Sequence, residues 1–258
     1  MKNLLKVSFV LVIVLTLALM MASCTVEEKD PTDVFSYTEI EGGYSISGFK
    51  GEDGDTVDLV IPSQYNGKAV VAIADNAFSR CDSIKSVVIP DSITTIGINA
   101  FYVCDSLESV TLSNNLTYFG GGAFIGCPKL QYNQYENGYY LGSAESPYML
   151  LVQFNSNTDR TVKINNAVKF IGYNAFSQCE NVESVSLPNG TLQLSSSAFQ
   201  NCNKLKNVYI PSTVTYVEDN AFYGCGIETI NCGAASKPDT WSDLWLNSRS
   251  EVTVNWGR

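Results

Sequence analysis

Six cysteines stand three places after a phenylalanine: Phe78/Cys81, Phe101/Cys104, Phe124/Cys127, Phe176/Cys179, Phe199/Cys202 and Phe222/Cys225. A repeated thiol offers nucleophilic attack, metal ligation or cross-linking. The first needs a neighbouring base, and the 258-residue chain contains no histidine. Ser-His-Asp and Cys-His nucleophile systems and His-containing zinc sites are thereby removed. Paired carboxylates would still serve hydrolysis. Yet Asp82, Asp105 and Glu180 directly follow a motif cysteine, and Glu108 and Glu183 precede strand-like segments, positions that suit a solvated face. The run Gly51 to Asp58 alternates carboxylates but lacks the length and terminal Glu of a calcium loop, so it reads as a turn. Gly120-Gly121-Gly122 has no following Lys-Ser/Thr and reads as a backbone turn. The residues point to a non-enzymatic protein with no cofactor and no metal.

What positions the cysteines is a repeat. Ala-Phe recurs at 77/78, 100/101, 123/124, 175/176, 198/199 and 221/222, spaced by 23 within each group of three and by 52 between groups. Inside a unit, Phe78, Cys81 and Ile84 are spaced by three, as in a tight helical turn, and Val87 and Ile89 by two, as in a strand with one buried face. Pro90, Pro188 and Pro211 end their strands. A unit this small cannot bury its own core, but stacked units can bury it jointly, as in a solenoid. The 52-residue interval is one repeat plus 29 residues, and Asn137-Gly138 and Ser146-Pro147 within it predict a hairpin or an enlarged coil.

The phrase Ile73-x3-Ala77-Phe78-x2-Cys81-x2-Ile84-x2-Val87-x-Ile89-Pro90-x2-Ile93 resembles the BspA-like group of bacterial leucine-rich repeats. Gly43 to Phe49, Ile61-Pro62 and Asn66-Gly67-Lys68 resemble that family's leading segment, and Cys232 to Trp256 its closing cap. The resemblance implies a leucine-rich-repeat solenoid, a right-handed superhelix, mainly β with short helical or 3-10 turns and parallel strands stacked one per repeat. Its expected organisation is a leading cap over 37–72, repeats over 73–130, a tyrosine-rich enlarged repeat or insert over 131–170, repeats over 171–231 and a cap over 232–258.

The first 23 residues differ in kind: Lys2 and Lys6 precede an uncharged apolar run from about Val7 to Ala22, short for a membrane span and suited to a secretory signal. Met21-Ala22-Ser23-Cys24 resembles the lipobox of bacterial lipoproteins, which implies lipidation of Cys24; an ordinary signal peptide with a chance cysteine is the alternative. The acidic, Pro31-containing stretch over 24–36 reads as a tether, and its acidity beside Cys24 resembles surface-export signals. The expectation is a secreted protein, anchored through lipid alone to the outer membrane and displayed at the cell surface. Losing Lys2 and Lys6 with the leader takes the net charge from -10 to -12, which argues against nucleic acid as a partner.

Two candidate contact regions follow. Residues flanking the inward side chain of each strand are Ser86 and Val88, Ser109 and Thr111, Ser184 and Ser186, Asn207 and Tyr209, and, after a one-residue deletion, Thr229 and Asn231. They make a small, neutral, hydrogen-bonding face, which also suits an ordinary sheet surface. The insert adds Tyr135, Tyr139, Tyr140 and Tyr148, either as rings capping the core or as an aromatic patch. The resemblance implies adhesion or binding of an extracellular protein, including one from a host, by a monomer. A carbohydrate-binding alternative would use Tyr139, Tyr140, Trp241 and Trp245. As for the cysteines, adjacent rungs lie within disulfide distance, but their side chains run parallel, and after lipidation an odd number remains. All six motif thiols are expected buried and reduced, packed as small hydrophobes.

Overall fold

In the computed structural model, residues 34–51, 56–155, 159–247 and 251–258 are described. The leader, Cys24, the tether up to Asp33 and residues 52–55 of the acidic Gly51 to Asp58 turn lie outside them. The described chain opens with β1 (Phe35–Ile40), β2 (Gly43–Phe49), β3 (Val57–Val60), β4 (Gln64–Tyr65) and β5 (Lys68–Ile73). Repeats follow as β6 (Ile84–Val88), β7 (Thr95–Ile96), β8 (Ser109–Thr111) and β9 (Tyr118–Phe119). The insert supplies β10 (Asn133–Tyr135), β11 (Gly138–Leu141) and β12 (Leu150–Phe154). The second run is β13 (Phe170–Ile171), β14 (Ser184–Ser186), β15 (Gln193–Leu194), β16 (Asn207–Ile210), β17 (Tyr216–Val217) and β18 (Thr229–Cys232), closed by β19 (Thr253–Trp256). β1 begins inside the segment expected to be tether, because Phe35 is buried against Phe78.

The coils form a β-solenoid with parallel stacked strands. Each repeat contributes two strands where one was expected: a longer one, and a two-residue one that the Pro90-type turn sends back along the opposite wall. The longer repeat strands pair as β3-β6-β8 and β14-β16-β18-β19, and the two-residue ones extend ladders that start on longer strands, as β2-β5-β7-β9 and β12-β13-β15-β17. Between them lies the corner that carries Phe-x-x-Cys. The three-residue spacing there is not a helix, and no helix occurs among the described residues. Successive i to i+3 bonds, such as Ser79 N–H to Asn76 O at 3.0 Å and Cys81 N–H to Phe78 O at 3.3 Å, are interrupted by left-handed residues. Two such residues recur per coil: Asn76, Asn99, Gly122, Asn174, Ser197 and Asn220, then Arg80, Val103, Gly126, Gln178, Asn201 and Gly224. Left-handed backbone reverses the chain twice within a few residues, and Asn and Gly adopt it at least cost.

The phenylalanines run through this corner as ring columns. Phe78, Phe101 and Phe124 stack at 4.8 and 5.3 Å between centroids, and Phe176, Phe199 and Phe222 at 4.7 and 5.1 Å. Beside them, each thiol donates to the phenylalanine carbonyl of the coil before: Cys104 Sγ to Phe78 O at 3.1 Å, Cys202 to Phe176 at 3.1 Å, Cys225 to Phe199 at 2.8 Å. Cysteine thus supplies a small apolar body and a weak donor at one point. Cys81, in the first coil, has no earlier phenylalanine coil and turns to Ser79 O at 3.9 Å; it is half-buried, not buried as expected. The seven described cysteines are free thiols.

The insert breaks the solenoid. β10 and β11 form a hairpin turning at Glu136-Asn137, and β11 pairs with β12. The short-strand sheet stops at β9 and restarts at β12, leaving two cores. β11, β12 and β13 form a wall between them: Tyr140, Leu151 and Ile171 face the second core while Leu141, Leu150 and Phe170 face the first. Strand alternation makes this possible, since neighbouring residues point to opposite faces. The first block therefore abuts the outer face of the second block's sheet.

Candidate interaction surfaces

At the junction, β9 has an open strand edge. Gln193, on the outward side of β15 and fully buried, meets it with its amide: Phe119 N–H donates to Gln193 Oε1 at 3.0 Å, and Gln193 Nε2 donates to Phe119 O at 2.8 Å. A side-chain amide thus does the pairing that a neighbouring strand's peptide group would do. Gln193 Nε2 also donates to Glu218 at 2.9 Å, and Glu218 accepts the Ser196 N–H at 2.8 Å. Burial pushes the Glu218 carboxyl above the usual carboxylate range, against the pull of these donors. Tyr118 is pushed up to about 12, mainly by burial and then by Glu218. Its ring meets Tyr216 edge-on at 5.6 Å. Sequence reading gave this clasp no role, because Gln193 and Glu218 occupy slots that face solvent in an isolated coil.

The strand-face residues fall into straight rows on two sheets separated by the break. On the first, Asp58, Ser86 and Ser109 are in register, as are Val60, Val88 and Thr111. On the second, Ser184, Asn207, Thr229 and Thr253 form one row and Ser186, Tyr209, Asn231 and Asn255 another. All are exposed or half-buried. Ser86 donates to Asp58 at 2.6 Å and Asn255 to Asn231 at 3.0 Å.

Tyr135, at the tip of the insert hairpin, comes beside Ser186 and Tyr209, and with Lys163, Asn166 and Asn189 they line a polar cleft of about 390 Å³. Two sequence-derived candidate groups therefore meet at one place. Tyr135 and Tyr148 approach at 5.8 Å, and Tyr139 meets Tyr132 at 6.3 Å. Tyr140 is fully buried at the start of the second core, its hydroxyl accepting the Asn165 N–H at 3.4 Å, so it is core and not contact surface. Trp241 and Trp245 are also buried, Trp241 donating to Val214 O at 3.2 Å. They cap the Phe222 column and present no ring face to a sugar.

A second cleft, of about 440 Å³, opens where the break leaves the third corner uncovered. Its floor is the Gly122 to Pro128 turn, and its walls include Phe119, Ile125, Tyr132, Leu150, Val152 and Tyr173. The signal for it was present in the sequence as the missing repeat after Cys127.

The acidic residues stay dispersed: Glu108 pairs with Lys85 at 3.9 Å and Glu183 with Arg160 at 3.4 Å, both at the surface. No cluster of three His, Cys, Asp or Glu suited to a metal occurs among the described residues. Of the thiols, Cys104 is pushed up by the neighbouring Cys127 thiol and by burial, and Cys232 to about 12 by burial.

The family profile described as the BspA type leucine rich repeat region matches in six copies, over residues 61–143 and 153–238, leaving the break between them. No curated protein matches. Among solved structures, the T. pallidum leucine-rich repeat protein TpLRR is similar at 25% identity, over 84% of this chain and 92% of that one, with a TM-score of 0.45. A leucine-rich repeat protein from Bacteroides ovatus is similar at 22% identity over 86% and 66%, TM-score 0.42. The pneumococcal vaccine antigen PcpA is similar at 13% identity over 87% and 86%, TM-score 0.36.

Proposed function

We propose, from the premise that this chain belongs to the BspA-type leucine-rich repeat family, that it is a non-enzymatic binding scaffold for an extracellular protein, held at the cell surface through lipid on Cys24. The family and fold are typically scaffolds. The observation that carries the reading is the cleft where the insert hairpin walls one end of the strand-face rows, bringing Tyr135 against Ser186 and Tyr209. Its lining mixes hydroxyls, amides and one ammonium group around two tyrosine rings, a composition that suits protein recognition. Repeat scaffolds share architecture more reliably than ligand, so the partner is identified by capture and not by kinship.

The test compares capture by wild type with capture by a variant substituted at Tyr135, Ser184, Ser186 and Tyr209. Loss of one specific partner supports the reading, and undiminished capture moves the site elsewhere. Anchoring is checked separately: Cys24→Ser should abolish incorporation of labelled fatty acid, and protease added to intact cells should degrade the wild-type protein. A protected protein would exclude direct binding of an external partner.

A further inference from the structure

The uncovered third corner ends a hydrogen-bond ladder that the rest of the fold keeps filled. Wherever another coil follows, two corner N–H groups donate to it: Phe78 and Arg80 to Ala100 O and Tyr102 O, both at 2.8 Å; Phe101 and Val103 to Ala123 O and Ile125 O at 2.8 and 2.7 Å. In the second block Phe176 and Gln178 bond Ala198 O and Gln200 O at 2.7 and 2.9 Å. Phe199 and Asn201 bond Ala221 O and Tyr223 O, both at 2.8 Å. Each acceptor pair comes from an Ala-Phe-X tripeptide whose ring stacks on the phenylalanine below. At the third corner, the N–H groups of Phe124 and Gly126 meet no acceptor among the described residues. Both line the 440 Å³ cleft, at the end of the first ring column. The last corner, at Phe222 and Gly224, is covered by the closing cap and not by a repeat: Asn220 N–H donates to Leu244 O at 2.9 Å, and Trp245 lies over the Phe222 ring at 6.0 Å.

We propose that this cleft binds a partner polypeptide through a small residue–aromatic–X segment, which takes the place of the missing coil. The segment's first and third carbonyls accept from Phe124 and Gly126, and its aromatic ring enters the cleft between Tyr132 and Tyr173, where Phe124, 6% exposed, meets it with a ring edge and not a whole face. The cleft favours a neutral acceptor: two residues whose N–H groups lack an acceptor line it, while its one acidic side chain, Asp105, opposes a phosphate or carboxylate. The volume lies in the range of about 300–1,000 Å³ usual for ligand pockets. A second folded copy does not serve as occupant, because the chain's own Ala-Phe pairs are buried, none more than 6% exposed. The proposal rests on the reading of the chain as a scaffold but uses a site apart from the strand-face cleft.

The test titrates the blocked pentapeptide Asn-Ala-Phe-Ser-Gln, which copies Asn174 to Gln178, into ¹⁵N-labelled protein. In the free protein the Phe124 and Gly126 amides should exchange with solvent faster than those of Phe101 and Val103. Peptide should shift and slow both. Replacing its Phe with Ala should weaken binding about tenfold or more, the scale of one buried ring. Ile125→Lys with Tyr132→Ala should abolish the response, and unchanged protection at Phe101 and Val103 certifies the fold. The strand-face variant should still bind, so that each proposal fails on its own terms. Phe124 and Gly126 amides already protected without peptide, equal binding of the Ala peptide, no shift at millimolar peptide, or a self-association that buries these amides would each overturn the proposal.

Discussion

The clasp at Gln193 invites a quantitative perturbation. Gln193→Leu keeps the bulk of the side chain but removes both bonds to Phe119 and the bond to Glu218. Phe119 N–H and C=O are then left at a buried edge, at about 1–3 kcal/mol for each unsatisfied group. The expected loss is about 2–6 kcal/mol, a large share of the roughly 5–15 kcal/mol that stabilises an ordinary domain. It falls unevenly, because beyond the apolar wall the blocks are joined by the clasp and by the bond from Lys169 Nζ to Asn114 O at 2.6 Å. All three tryptophans, Trp241, Trp245 and Trp256, lie in the second block, so their emission reports that block while far-UV circular dichroism reports both. In urea, wild type should give coincident curves and Gln193→Leu an earlier dichroism transition that leads the fluorescence. Gln193→Glu is the sharper control: a carboxylate accepts from Phe119 N–H, donates nothing to its carbonyl and repels Glu218. It should fall below Gln193→Leu at neutral pH and recover toward acid. A loss under about 0.5 kcal/mol for Gln193→Leu would refute the claim that this amide substitutes for a strand, since that is the scale of an ordinary surface change.

Three further outcomes follow from the geometry. Glu218 is raised in the folded state, so the native protein holds its proton more tightly than the unfolded chain; stability from this group is present on the acid side and falls as pH rises from the ordinary carboxylate value through the raised one. The stability of wild type minus that of Glu218→Gln, measured by denaturation across that window, should decline with pH, and a flat or rising difference would contradict the assignment. Gly120→Ala would place a Cβ 2.3 Å from the Gly97 and Ile98 backbone, so thermal unfolding should show a loss of about 1–3 kcal/mol or more. Iodoacetamide on native protein, read by peptide mapping, should alkylate Cys81 ahead of the six other described thiols, because it alone among them is half-exposed.

The period of 23 and the inward residues of each coil were legible because they rest on side-chain chemistry repeated six times. The second strand of each coil was harder to read, since Thr95-Ile96 is too short for an alternation to register. The corner misled for a different reason: a spacing of three marks i to i+3 turns but not the left-handed residues that break them, and Arg80, Val103 and Gln178 carry no sign of that conformation. A clue to the wall was available in Tyr148-Met149-Leu150-Leu151-Val152, a run apolar on both sides and so suited to a strand covered on both faces. Gln193 could not be read as the partner of Phe119, nor Glu218 as that of Tyr118, because what buries them lies 74 and 100 positions earlier. The strand-face rows were placed by the repeat itself, whereas the cleft that joins Tyr135 to Tyr209 depends on where the hairpin lies.

The break also sets a rule for how such a chain tolerates growth. A coil duplicated after Asp219 would lengthen the second block without moving Gln193 or Glu218 relative to β9. The same 23 residues inserted between Ile171 and Gln193 would carry the amide one rung away, about 4.8 Å, beyond reach of the edge it completes. Length is thus free at the far end and fixed in the coils beside the junction, although the repeats on either side look interchangeable in sequence.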